Sequence, residues 1–155
     1  MLSNRILRLA TPADAFAIAA LSRAQIEHGL PWTWREPRVR RAIVDPDINA
    51  VVLGPPGGVS AFGLMGHTDD DAHLLLFAVH PAQRRQGVGT ALLQWLEAAA
   101  RVAGARRIRV EARMDNKAAR SFYNEHGYQE GDIVRGMYSG RLDGVKLEKW
   151  LRSDR

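Results

Sequence analysis

The sequence predicts an α/β fold, and three observations carry that prediction. Leu74 to Val79 is a nearly continuous apolar run, which suits a central strand covered on both faces. It leads through a basic turn with two glycines into a stretch with apolar residues at Val88, Leu92, Trp95, Leu96, Ala99, Val102 and Ala103. That is the period of an amphipathic helix, with Gln94, Glu97 and Arg101 expected on its opposite face. Arg107 to Met114 then alternates, Ile108, Val110 and Ala112 against Arg109, Glu111 and Arg113, as a strand does. A strand, a helix and a strand in that order imply a right-handed crossover with the two strands parallel.

The remaining elements follow in chain order. Ile6 to Leu9 alternates as a short first strand. Thr11-Pro12-Ala13-Asp14 is a helix start, with Thr11 as cap, Pro12 at the first helical position and an acid near the orphan N–H groups. This helix should reach about Glu27, with Gly29 as its stop, and a second should run from about Arg35 to Ile43. Strands are expected at Ala50–Leu53 and Val59–Met65, on either side of the Gly/Pro-rich turn Gly54 to Gly58. Another is expected at Ala72–Val79, after the polar turn His67 to Asp71. Gly104 ends the amphipathic helix; Asn116 can cap the next one and Gly127 can close it. Ile133–Tyr138 and Val145–Trp150 complete the set of strands.

Composition bounds the class of protein. A chain of 155 residues is expected to form one domain over residues 1–155, with a sizeable core. With 46% apolar and 25% charged residues it has the make-up of a soluble globular protein. No apolar run is long enough to span a bilayer and the first twenty residues lack the form of a secretory signal, so the cytoplasm is the expected location. The absence of cysteine excludes disulfides, thiolate metal sites and a cysteine-bound acyl group. The net charge of +5 fits an acidic partner, but the basic residues are spread along the chain and no nucleic-acid-binding motif stands out. Nucleic acid is therefore not the expected partner. Asp69 to Asp71 reads as a solvated turn, and no pair among the five histidines has ligand spacing, so no metal is expected.

The turn Arg84-Arg85-Gln86-Gly87-Val88-Gly89 has the physics of an anion site. A helix start presents unpaired N–H groups and partial positive charge, glycines let a ligand approach the backbone, and arginine matches phosphate geometry. A solvated basic turn before an ordinary helix fits the same residues. Two familiar phosphate loops do not: Leu92 stands where the dinucleotide fingerprint needs its third glycine, and no Lys-Ser or Lys-Thr pair follows Gly57-Gly58.

Arg84 to Gly89 resembles the signature loop of the GCN5-related N-acetyltransferase (GNAT) family, which cradles the pyrophosphate of acetyl-coenzyme A. Asn116-Lys117-Ala118-Ala119-Arg120-Ser121-Phe122-Tyr123, ending at Gly127-Tyr128, resembles a second segment of that family at the expected distance, and Ile6-Leu7-Arg8 resembles its beginning. The resemblance covers nearly the whole chain. It implies a mixed, mostly antiparallel sheet of about seven strands with helices on both faces and a splayed parallel pair, Leu74–Val79 and Arg107–Met114. Acetyl-coenzyme A would lie in that cleft as co-substrate. Its arm would pair with the backbone of Phe77, Ala78 and Val79, with Asn116, Ala119 and Tyr123 on the other side. Arg84, Arg85, Gln86, Gly87, Val88, Gly89 and Thr90 would hold the phosphates.

The resemblance also proposes the chemistry. Tyr123 corresponds to the family tyrosine that meets the departing thiolate, although packing on the sheet would explain a helix aromatic equally simply. Val110-Glu111-Ala112-Arg113 resembles the strand with the catalytic glutamate in bacterial enzymes that acetylate the N-terminal alanine of a ribosomal protein. Ala112 replaces the larger β-branched residue usual there. Glu111 is thus the candidate base, its alternative a surface ion pair with Arg109 or Arg113. Trp32 and Trp34, in a loop bordering the acceptor site of the family, are candidates for the groove or for core plugs, and Tyr138 for the groove or solvent. The expected activity is direct acetyl transfer to a primary amine, foremost the N-terminal α-amine of a protein or peptide. The alternatives are a small amine (polyamine, amino acid or drug) or a non-catalytic protein that binds coenzyme A or nucleic acid.

Overall fold

The structure, a computed structural model, describes residues 7–84 and 86–151. The expectations for Ile6 and Arg85 lie outside the described residues. Among the described residues seven strands form one sheet: β1 (Leu7–Leu9), β2 (Ile48–Leu53), β3 (Ala61–His67), β4 (Asp71–Val79), β5 (Arg107–Arg113), β6 (Gln129–Tyr138) and β7 (Leu142–Trp150). Their order is β1-β2-β3-β4-β5-β7-β6, and every neighbouring pair is antiparallel except β4 with β5. The mixed, mostly antiparallel sheet and its single parallel pair are as expected.

Among the described residues four α-helices cover the sheet: α1 (Ala15–Gln25), α2 (Glu36–Val44), α3 (Val88–Val102) and α4 (Lys117–Glu125). One core packs Ile18, Ala19 and Val39 of α1 and α2 on Val52, Phe62 and Leu64; the other packs Leu92, Leu93 and Leu96 of α3 on Met65, Ile108 and Leu147. Among the described residues no helix is long and apolar enough to cross a membrane.

The start of α1 is a single 3-10 turn, Pro12–Asp14, behind the Thr11 cap. Asp14 is fully buried; it accepts from the Thr11 N–H at 2.9 Å and from two nitrogens of Arg8 at 2.8 and 2.9 Å. The Arg8 guanidinium holds the Asp14 carboxyl down to about 2. Because the folded value lies below the unfolded one, this contribution is present above pH ~4 and is lost as pH falls through about 2. It amounts to about 2 kcal/mol. Urea titrations at about pH 5 and pH 2 should therefore show the stability gap between wild type and Asp14→Asn shrinking by that amount; an unchanged gap would reject it.

Helix α3 departs from its expected orientation. Glu97 is buried, whereas Trp95 and Val102 are exposed. The buried stripe centres on Leu96 and turns Leu93 and Glu97 inward. Glu97 can face inward because its carboxylate is met by the Tyr128 hydroxyl at 2.8 Å and the Lys149 ammonium at 3.2 Å. Burial, then the Glu97 charge, pushes the Tyr128 phenol well above its usual range, so it stays a donor.

Strand β4 contains the feature that shapes the molecule. Leu64 pairs with Leu76 but Met65 pairs with Leu74, so Leu75 is a bulged extra residue. A bulge reverses the inward and outward alternation and bends the strand. Ala72 and Leu74 belong to the core beneath α3, while Leu76 and Ala78 belong to the core beneath α1 and α2. Both cores therefore draw on one strand, which explains its continuous apolar run.

Candidate active site

The bulge lies where β4 leaves β5. Parallel pairing covers only Asp71↔Arg107 to Leu74↔Val110, and no residue from Leu75 to Val79 pairs with β5. The closed end is pinned by Arg107, which donates to Asp71 at 2.7 and 3.2 Å and to Glu148 at 3.0 Å. Beyond it the strands fork around a cleft of about 800 Å³, lined on one side by Leu74 to Val79 and on the other by Val110 to Arg113 and by α4.

Of the residues singled out in the sequence, Phe77, Ala78, Val79, Arg84, Gly89, Glu111, Asn116, Ala119, Tyr123 and Tyr138 line this cleft. Gln86, Gly87, Val88 and Thr90 surround the start of α3 without lining it. Trp32 and Trp34 are outside the lining, packed against the core of α1 and α2. Arg23 and Arg35 lie over the Trp32 ring at 4.7 Å, and Arg38 over Trp34 at 3.8 Å.

The cleft fits an elongated ligand with a phosphate end. The exposed edge of β4 offers backbone hydrogen bonds, and α3 starts at Gly87, whose φ of 77° places it in the left-handed region. A Cβ on Gly89 would meet the Phe122 ring at 3.2 Å, so the glycine lets α3 and α4 approach while its backbone stays open. Arg84 bonds the Val79 carbonyl at 3.3 Å and Gln25 at 2.7 Å, fixing the basic turn against the end of α1. The Asn116 side-chain oxygen caps α4 through the Ala119 N–H at 3.1 Å, which leaves its amide NH₂ for the cleft.

Tyr123 is nearly buried, among the rings of Phe77, Phe122 and Tyr128 at 5.6 to 6.3 Å. Burial, helped by Tyr138, pushes its hydroxyl above the usual phenol range, so it remains protonated near neutrality. Tyr138 is pushed up to about 12 by burial and by the nearby Glu111 charge. It is brought round by an irregular stretch of β6, where the register with β7 shifts between Val134 and Tyr138. Gly144 makes room for it, since a Cβ there would lie 2.9 Å from the Tyr138 ring.

Glu111 pairs with neither arginine proposed for it. Arg109 faces Asp71 at 3.4 Å, and Arg113 is committed to Asp115, while the Glu111 carboxylate meets His73 at 2.7 Å. Burial works to raise the Glu111 carboxyl, but the His73 bond and the charges of His73, Arg109 and Lys146 together hold it below its usual range.

Two organising residues had no sequence signal. Buried Glu27 accepts from the Thr33 and Trp34 N–H groups at 3.0 Å and from the Thr33 hydroxyl, shaping the loop between α1 and α2. Arg113 reaches the same loop from β5, donating to the carbonyls of Ile26 at 3.2 Å and His28 at 2.9 Å. Each is an ordinary charged residue until its contacts are known, six and seven positions onward for Glu27 and more than eighty positions back for Arg113. Phe122, also on the cleft wall, adjoins Tyr123 and could have been found from that neighbour.

A splayed parallel pair, a helix starting at a basic glycine turn and a tyrosine on the following helix define an acetyltransferase-type cleft. Residues 23–128 match the family described as Acetyltransferase (GNAT), and the chain belongs to that family. The [ribosomal protein bS18]-alanine N-acetyltransferase of Escherichia coli K12 is 35% identical over 92 residues, which span 57% of this chain and 62% of that relative. The match thus covers less than two thirds of the relative's length. The mycothiol acetyltransferase of Geodermatophilus obscurus is 33% identical over 149 residues, 95% of this chain and 43% of its own length. Among solved structures, the ribosomal-protein-S18-alanine N-acetyltransferase from Escherichia coli superposes with a TM-score of 0.81 at 25% identity, over 97% of this chain and 96% of that one. Salmonella typhimurium yncA with its cofactor acetyl-CoA shares the fold, with a TM-score of 0.76 at 21% identity over 98% and 96% of the two chains.

Proposed function

We propose that the protein transfers the acetyl group of acetyl-coenzyme A to a primary amine, foremost the N-terminal α-amine of a protein or peptide, within one ternary complex. The observation that supports this best is the fork itself. It exposes an unpaired strand edge beside a helix start, with the Tyr123 phenol and the Glu111 carboxylate in the same cleft. The Escherichia coli relative, an N-acetyltransferase of ribosomal protein bS18 alanine, supports the protein acceptor.

In this reading the start of α3 and Arg84 bind the pyrophosphate, and the edge of β4 with Asn116 orients the arm. The amine nitrogen bonds to the acetyl carbon as the carbon–sulfur bond breaks. Glu111 accepts the amine proton and the Tyr123 hydroxyl gives its proton to the sulfur, each exchanging with solvent afterwards. Holding both reactants in line supplies much of the acceleration.

A small amine is the second reading, favoured by the mycothiol acetyltransferase match over 95% of the chain. Thiol release from acetyl-coenzyme A, measured against peptides with different first residues and against small amines, separates the two. The expected result is fastest release with an alanine-first peptide. Faster release with a small amine would reverse the order, and none with any acceptor would reject the function. The phosphate cradle has its own test. Gly87→Val forces a β-branched residue to φ 77°, into space that is otherwise open, so the strain falls on the turn. Calorimetry should show coenzyme A binding weakened about tenfold; unaltered affinity would reject the cradle.

A further inference from the structure

We propose that His73 is the positioning residue for the base: its Nε2–H holds the Glu111 carboxylate at the mouth of the fork. The inference rests on the acetyl-transfer reading above.

The geometry comes from the register. Leu74↔Val110 is the last parallel pair, so Glu111 is the first residue of β5 beyond backbone control by β4. Ala72 and Leu74 on β4, and Ile108, Val110 and Ala112 on β5, belong to the core beneath α3. His73 and Glu111 therefore share the opposite face, where the 2.7 Å contact makes one more rung across the fork from side chains alone. Both side chains are partly accessible, at 30% and 25%. Glu111 lines the cleft whereas His73 does not, so the imidazole acts through the carboxylate.

The chemistry fixes the hydrogen. A carboxylate only accepts, so Nε2 carries a proton whether the ring is neutral or charged. The neutral ring donates one hydrogen bond through Nε2, which engages Oε1 and leaves Oε2 for the amine. The charged ring keeps that bond but places a full positive charge against the carboxylate, making it a poorer proton acceptor. The surroundings leave Glu111 as the anion that answers His73. Arg109 on β5 and Lys146 on β7 act on the same carboxylate. Asp71, two residues earlier on β4, is engaged by Arg107 at 2.7 Å and Arg109 at 3.4 Å. The register partner on β3 is Gly66, which has no side chain.

The test uses the full chain with acetyl-coenzyme A and an alanine-first peptide. His73→Gln keeps an N–H donor that does not titrate, and His73→Phe removes the donor. His73→Phe should lower kcat about tenfold or more with KM for acetyl-coenzyme A unchanged. His73→Gln should retain most of kcat, because its amide N–H still engages the Glu111 carboxylate. Wild-type kcat in His73→Phe, or a kcat in His73→Gln no higher than that of His73→Phe, would overturn the proposal. The His73 Nε2–H proton resonance tests the pair without turnover: it should be shifted downfield and protected from exchange in wild type, and both features should be lost in Glu111→Ala. An unchanged resonance in Glu111→Ala would overturn the proposal even in an active enzyme, whereas absence of transfer by wild type would instead reject the function on which it rests.

Discussion

Tyr123→Phe should lower kcat about a hundredfold while coenzyme A binds as tightly as to wild type. The substitution removes one oxygen and keeps the ring, so the contacts with Phe77, Phe122 and Tyr128 persist and the fold is retained. What is lost is a donor in a site where burial keeps the phenol protonated and where no water replaces it at low cost. An interaction needed only as charge develops on the leaving sulfur affects turnover and not ground-state binding. Steady-state kinetics with calorimetry separates the two. Wild-type kcat in this variant would end the acid role, and a parallel loss of affinity would reassign the hydroxyl to binding.

The largest effect on stability is expected at the other end of the same core. Lys149→Met should cost about 3 kcal/mol, because it leaves the buried Glu97 carboxylate with the Tyr128 hydroxyl as its remaining donor. For a domain of this size that corresponds to about a 10 °C drop in Tm. Replacing all three groups, as Glu97→Leu with Tyr128→Phe and Lys149→Met, should recover most of the loss, since apolar groups need no compensation in a core. Calorimetric unfolding of the single and triple variants checks both parts. A single variant within about 1 kcal/mol of wild type would show that the ammonium is dispensable to Glu97.

The elements themselves were largely legible. Periodicity located the seven strands and four helices because each side chain's direction repeats every two or 3.6 residues, and the Thr11 and Asn116 caps act within four residues of chain. The family resemblance pointed to residues that do meet in one cleft, among them Phe77, Glu111, Asn116 and Tyr123. Legibility failed where a side chain answers to a distant partner. Glu97 looked like a surface residue because Tyr128 and Lys149 are thirty-one and fifty-two positions away. Glu111 was matched with neighbouring arginines, although its hydrogen-bonding partner, His73, lies thirty-eight positions earlier.

The sequence alone determined an α/β chain with a glycine-started helix between two parallel strands, since local propensity and period are short-range properties. It also determined the absence of cysteine chemistry. Only the tertiary structure decided that one extra residue, Leu75, turns β4 from one core to the other where its pairing with β5 ends. A bulge is a mismatch between two strands, and neither strand carries it by itself. The cleft, the unpaired edge and the His73–Glu111 contact all follow from that pairing, which exists only once the sheet has formed.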